Sequence, residues 1–213
     1  MRMKLNFERI LIVEPHPDDG IVGAGGTIAR IKRENPTCQI KLIYMSPCTE
    51  DPKNKGHIED HRKVCKFLGI DEVIEESMPR DSYLENNKQE VRDILWKIRE
   101  EFNPDLVFCP SSHEEFHQDH SVVGECVETI FRDTSTILAY EVLRSSNFNP
   151  NFYVILSKED VEKKINVIKC YKSQLKTRPY FFSKEIFESY LIMRGAQAKT
   201  KWAESFKLIR GRV

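Results

Sequence analysis

Short apolar runs alternate with segments of helical spacing along most of this chain, and that alternation limits the available folds severely. Ile10-Leu11-Ile12-Val13 reads as a first strand, Ile40 to Met45 as a second, Glu72 to Glu75 as a short third and Leu106-Val107-Phe108-Cys109 as a buried fourth. Between them, a helix begins after Gly20 and stops at Asn35-Pro36, and another runs from about Ile58 to Leu68 with Gly69 as its C-cap. Val91, Ile94, Leu95, Ile98 and Phe102 recur on one helical face until Asn103-Pro104 ends the pattern. Val122, Val123, Cys126, Val127, Ile130 and Phe131 mark the next helix. Ile137 to Tyr140 and Tyr153 to Leu156 read as strands, Val161, Ile165, Ile168 and Tyr171 as a helix, and the tail from Ser183 onward as mostly helical. Strands separated by helices imply a parallel sheet, since each crossover returns the chain to the same edge. The expected fold is α/β: one Rossmann-like domain over residues 1–213, its mainly parallel sheet flanked by helices on both faces.

A chain of 213 residues, 40% hydrophobic and 31% charged, suits one domain of that class. Its 33 basic and 33 acidic residues cancel, whereas a nucleic-acid binder normally carries a basic excess that neutralises phosphates. No apolar stretch approaches the roughly 18 residues needed to span a bilayer, and Met1 to Glu8 lack the apolar core of a secretion signal. The six cysteines include no Cys-x-x-Cys pair, so neither a zinc ribbon nor a dithiol redox motif is present. A cytoplasmic protein acting on a small molecule is the expectation.

Two polar segments interrupt this pattern where an α/β sheet gathers its functional loops. Pro15-His16-Pro17-Asp18-Asp19 follows the first strand, and His117-Gln118-Asp119-His120 opens the helix after the fourth. Imidazoles and carboxylates of this hardness suit a divalent metal with an open coordination position. Pro17 stiffens its turn. Two adjacent carboxylates cannot point the same way, so one can bind a cation while the other faces substrate. Asp119 is read as a helix cap or as a carboxylate that fixes a histidine tautomer. Either segment alone is compatible with an ordinary surface turn; their joint placement after strands of one sheet is what points to a metal hydrolase.

Other segments carry less. His57 and His61 sit one helical turn apart, but Glu59 is one place off both zincin patterns, and a solvated helix start is expected there. Gly23-Ala24-Gly25-Gly26 lacks the third glycine of a dinucleotide fingerprint and follows two carboxylates that would repel a pyrophosphate; close helix packing explains it. Cys109 is read as a buried thiol, the acidic patch at 71–76 and the Lys/Glu mix at 158–164 as solvated faces, and Lys207 to Arg212 as a loosely held terminus.

Taken together, these residues resemble the LmbE/PIG-L family of zinc-dependent N-deacetylases. The resemblance rests on Pro15 to Asp19 with Gly23 to Thr27, and on His117 to His120. It extends through Arg62, Leu68-Gly69, Pro104 to Val107, Tyr140-Glu141, Ser173-Gln174, Arg194-Gly195 and Ala203 to Phe206. The form Glu-Pro-His-Pro-Asp-Asp is most similar to archaeal-type chitobiose deacetylases. What the resemblance implies is a single Zn2+, with Fe2+ or Co2+ also compatible, held by His16, Asp19 and His120. Asp18 would be the general base, and a protonated His117, oriented by Asp119, would stabilise the oxyanion. Arg62 is a candidate substrate contact. The implied substrate is an N-acetylglucosamine-type sugar, and relatives often form homo-oligomers. Gly20 departs from the family pattern, where many relatives carry glutamate. A hydrolase of another small amide, or a sugar-binding domain with a relict metal site, are the alternatives.

Overall fold

The computed structural model describes residues 6–75 and 83–212. Its strands are β1 (Arg9–Glu14), β2 (Gln39–Tyr44), β3 (Glu72–Ile74), β4 (Leu106–Pro110), β5 (Thr136–Tyr140), β6 (Phe152–Ile155) and β7 (Ala203–Arg210). The helices are α1 (Asp19–Glu34), α2 (His57–Leu68), α3 (Lys88–Phe102), α4 (Gln118–Phe131), α5 (Lys158–Ile168), α6 (Lys172–Thr177) and α7 (Lys184–Gln197). The strands form one sheet in the order β3-β2-β1-β4-β5-β7-β6. The first five are parallel, and β7 runs antiparallel to both β5 and β6.

The alternation of side chains along β1 explains why both faces are covered. Ile10 and Ile12 pack with Ile21, Ala24 and Ile28 of α1 and Ile165 of α5. Leu11 and Val13 face the other way, onto Val91 and Leu95 of α3 and Val123 and Val127 of α4. Helix α1 lies close on the sheet, as its glycines imply. A Cβ on Gly23 would come within 2.7 Å of Tyr140, and one on Gly26 within 2.6 Å of Leu156.

Three sequence expectations are corrected here. The tail is not mostly helical: after α7 it returns as β7, so Lys207 to Arg210 belong to a strand and not to a loose terminus. Periodicity missed that strand because Glu204 and Ser205, both buried, break its apolar pattern. Glu204 accepts from the Gly26 and Thr27 amides of α1 at 2.8 and 2.6 Å and pairs with the buried Lys164 ammonium. The segment at 158–164 is therefore not a purely solvated face. Asp160, also buried, closes a capping box with Ser157 at the start of α5 and binds Arg33. For the acidic patch at 71–76, Asp71 and Glu72 are exposed as expected and Glu75 meets solvent, while Glu76 lies outside the described residues.

The connections from β1 and β4 place the site. These strands are hydrogen-bonded neighbours, with Leu11 opposite Val107. From β1 the chain crosses through α1 to β2 on one side; from β4 it crosses through α4 to β5 on the other. A crevice opens above the carboxyl ends of strands at such a switch point. Both polar segments lie there.

Candidate active site

The first loop is held under strain by buried polar groups. Asp18, at the N-cap of α1, has φ 115°, a region L-residues rarely adopt and one that persists only where surrounding contacts over-determine it. Two such contacts are visible. The buried Glu14 carboxylate accepts from the Gly20 and Ile21 amides at 2.9 and 3.1 Å, satisfying the open amides at the start of α1. His57 Nε2 donates to the Pro17 carbonyl and lies 3.3 Å from Asp18 Oδ2. Gly20 has no room for a side chain: its Cβ would meet Ile12 at 2.6 Å and Glu14 at 3.0 Å. Glu14 thus already holds the space that a residue at 20 would need.

The second segment enters α4 with His117 as its N-cap, whose Nδ1 accepts the Asp119 amide proton at 3.3 Å. His120 Nε2 comes within 3.2 Å of Asp19 Oδ2, and His16 Nδ1 within 3.4 Å of the same oxygen. One ligand atom from each of His16, Asp19 and His120 falls within 4.8 Å of the others, a spacing that lets all three reach one cation. The remaining ring nitrogens face carboxylates: His16 Nε2 lies 3.3 Å from Asp119, and His120 Nδ1 lies 3.3 Å from the buried Glu115. A carboxylate behind each imidazole fixes the tautomer that leaves the inward nitrogen free to ligate. The donor set fits one divalent ion.

Electrostatics agree with that geometry. Burial would raise the Asp19 pKa, but His120 and His16 hold it far below the ordinary carboxylate range. Burial opposes charge on His120, yet Asp19 and Glu115 lift it to about 9; His16 is likewise raised well above its ordinary value by Asp119 and Asp19. A site that holds protons this tightly is one a cation can fill instead. His117 goes the other way, to about 4, through partial burial and the neighbouring His16 and His120. In the metal-free site it is neutral at pH 7, where the sequence reading expected an imidazolium. With Nδ1 accepting from the Asp119 amide, its proton sits on Nε2, available for donation.

These groups line a cleft of about 270 Å³ with Asp18, His57, Asn54, Arg144, Gln174, Arg178 and Phe181 among its walls. The sequence expectations divide accordingly. His16, Asp18, Asp19, His117 and His120 meet in the cleft. The Asp119 carboxylate orients His16, while His117 takes only its backbone amide. Arg62 is elsewhere: it lies on the exposed face of α2, with its guanidinium bound to Glu75 at 2.6 and 2.8 Å, and is not among the cleft's lining residues. The expected solvated start of α2 is also corrected, because His57 and His61 are both buried. Sequence reasoning missed Glu14 and Glu115 and took His57 for a solvated residue. An ionisable residue ending a buried strand was the available signal for Glu14; the other two depend on packing across the fold.

The sequence matches the model of the family described as "PIG-L: GlcNAc-PI de-N-acetylase" over residues 11–131. It is 24% identical over 237 residues to the diacetylchitobiose deacetylase of Thermococcus kodakarensis, covering 97% of this chain and 85% of that protein. It is 25% identical over 191 residues to a Bacillus anthracis protein described as "Probable N-acetyl-alpha-D-glucosaminyl L-malate deacetylase 2", covering 81% and 84%. The fold superposes on the N,N'-diacetylchitobiose deacetylase of Pyrococcus horikoshii with a TM-score of 0.77 at 21% identity, over 96% of this chain and 84% of that one.

Proposed function

Since the chain belongs to the PIG-L family of GlcNAc-PI de-N-acetylases, we propose that it removes the acetyl group from an N-acetylglucosamine-type sugar with one zinc ion held by His16, Asp19 and His120. The convergence of those three ligands beside Asp18 on the cleft wall carries this reading. When bound, a divalent ion there supplies a water of lowered pKa and polarises the acyl oxygen. The donor set would equally accept Fe2+ or Co2+.

The chain's residues perform the remaining steps. Asp18 is outside the ligand set, and its strained backbone turns the carboxylate toward the cleft. It takes the proton of the attacking water. Neutral His117 donates a hydrogen bond from its Nε2–H to the oxygen of the tetrahedral species and keeps its proton, a positioned donor that acts without reorganising. The amine then leaves, reprotonated from Asp18, with acetate as the other product. The relatives' names part at the group beyond the sugar: a second sugar in one, malate in the other. Both keep the N-acetylated sugar.

The test is acetate release by metal-loaded protein on free, chito-linked, nucleotide-linked and lipid-linked N-acetylglucosamine, with His120→Ala alongside. Turnover of one substrate that vanishes in the variant supports the reading. A metal-replete protein silent on the whole panel would transfer the assignment to another small amide. No helix among the described residues is long and apolar enough to cross a membrane. A homo-oligomer and a cytoplasmic location remain part of the proposal.

A further inference from the structure

Beyond the metal cluster, one part of the cleft wall is built from arginines without carboxylate partners. Arg178 is half-buried and is held by two neutral amides: its Nη1 donates to Gln174 Oε1 at 2.9 Å, and its Nη2 reaches Asn54 Oδ1 at 3.4 Å. Gln174 is itself fully buried, and Asn54 is anchored through its own amide to the Cys48 carbonyl at 2.9 Å. Arg144, on the same cleft wall, stands over the Phe181 ring at 5.1 Å. Among the described residues neither guanidinium makes an ion pair. Elsewhere buried arginines are paired: Arg30 and Arg194 are bound to Glu34 and Glu141. Of the carboxylates that line the cleft, Asp18 and Asp19 lie at the metal cluster, and Asp51 accepts from the Lys53 amide as the cap of the short turn at Pro52–Asn54.

A guanidinium keeps its charge at any pH of interest. Held by amide oxygens it is fixed in place without being neutralised, and most of its five donors stay free for a planar anion. Stacking of Arg144 on Phe181 orients a second charge in the same way. We infer that Arg178 and Arg144 form an anion subsite beside the metal cluster, so that the preferred N-acetylglucosamine substrate carries a carboxylate or phosphate on the group linked to the sugar. This rests on the deacetylase reading and adds the chemistry of the group beyond the sugar.

The experiment compares methyl N-acetylglucosaminide with two anionic partners of the same anomeric configuration, N-acetylglucosamine 1-phosphate and the carboxymethyl glycoside, in the metal-loaded enzyme. An advantage of about tenfold or more for an anionic member, expressed in KM and lost in Arg178→Gln, is expected from one hydrogen bond to a charged group. Turnover of the neutral glycoside should fall less than that of the anionic members in that variant, which separates anion binding from folding. The better of the two anions identifies phosphate or carboxylate. Equal turnover of neutral and anionic members, or an equal loss on both in Arg178→Gln, overturns the subsite while leaving the deacetylase reading intact. A binding arm with the amine products, glucosamine 1-phosphate against methyl glucosaminide, decides the matter without turnover. Tighter binding of the phosphate that is weakened in Arg178→Gln and by added salt supports the subsite even where no acetate is released, and binding indifferent to Arg178 sinks it.

Discussion

Two clusters of histidine and carboxylate flank the same loop, and they behave as opposites. His16, Asp19 and His120 point their nitrogens and oxygen at a common space that opens into the cleft, each imidazole backed by a carboxylate on its outer side. Behind the loop, Glu14, His61 and Tyr171 form a sealed chain: His61 Nε2 lies 3.1 Å from Glu14, and His61 Nδ1 lies 2.8 Å from the Tyr171 hydroxyl. All three residues are fully buried. Burial opposes a charge on His61, yet the Glu14 carboxylate raises its pKa well above the ordinary value. The residue types are the same in both clusters. What differs is whether the inward atoms already have partners and whether water and substrate can reach them. The open cluster is built to receive an ion; the sealed one braces the backbone that presents it.

That contrast is sharpest in the two adjacent aspartates. Asp18→Asn should retain bound metal yet lose about 10² to 10⁴ in kcat, the usual contribution of a positioned acid-base group, whereas Asp19→Ala should lose the metal itself. Metal content measured beside turnover checks this, and equal metal loss in both variants would erase the division of roles. Glu14→Ala should act on stability instead, lowering the unfolding free energy by about 3–5 kcal/mol because the Gly20 and Ile21 amides and His61 all lose their buried partner. Denaturant titration with and without added metal should show Glu14→Ala losing stability in both conditions, and Asp19→Ala losing the stabilisation that bound metal confers. If the two losses match, the clusters do not differ as described.

His57 joins the two regions, since it sits on α2 beside His61 and touches the Asp18 loop. His57→Gln should keep the metal and the fold while lowering kcat by roughly tenfold with little change in KM, as expected when a general base loses its alignment. A change confined to KM would assign His57 to substrate and not to Asp18. The smallest effect belongs to a carboxylate outside both clusters. Asp160 is buried, which alone would raise its pKa, but Arg33 and the Ser157 amide hold it below the ordinary value. A carboxyl depressed in the folded state contributes stability above its unfolded pKa of about 4, and that contribution is lost as the pH falls through the folded value. Unfolding followed from pH 6 to pH 2 should therefore show a shallower acid loss in Asp160→Asn. An unchanged slope would mean that the Arg33 contact contributes nothing in solution.

The sequence by itself determined the five parallel strands, the helices on both faces and the cluster formed by His16, Asp18, Asp19, His117 and His120. Each of these is written locally, as hydrophobic period, a helix stop or a short polar segment at a strand end. Tertiary structure decided everything that depends on who faces whom. It returned the tail as β7, because Glu204 gains partners only when α1 and Lys164 lie beside it. It buried His57 and His61, which on an isolated amphipathic helix read as solvent-facing. It turned the Asp119 carboxylate to His16 and removed Arg62 from the cleft, while bringing in Arg178 from a segment with no motif at all. Polar groups have no period of their own: their cost in the interior depends on the partner they meet, and the partner is set by the fold.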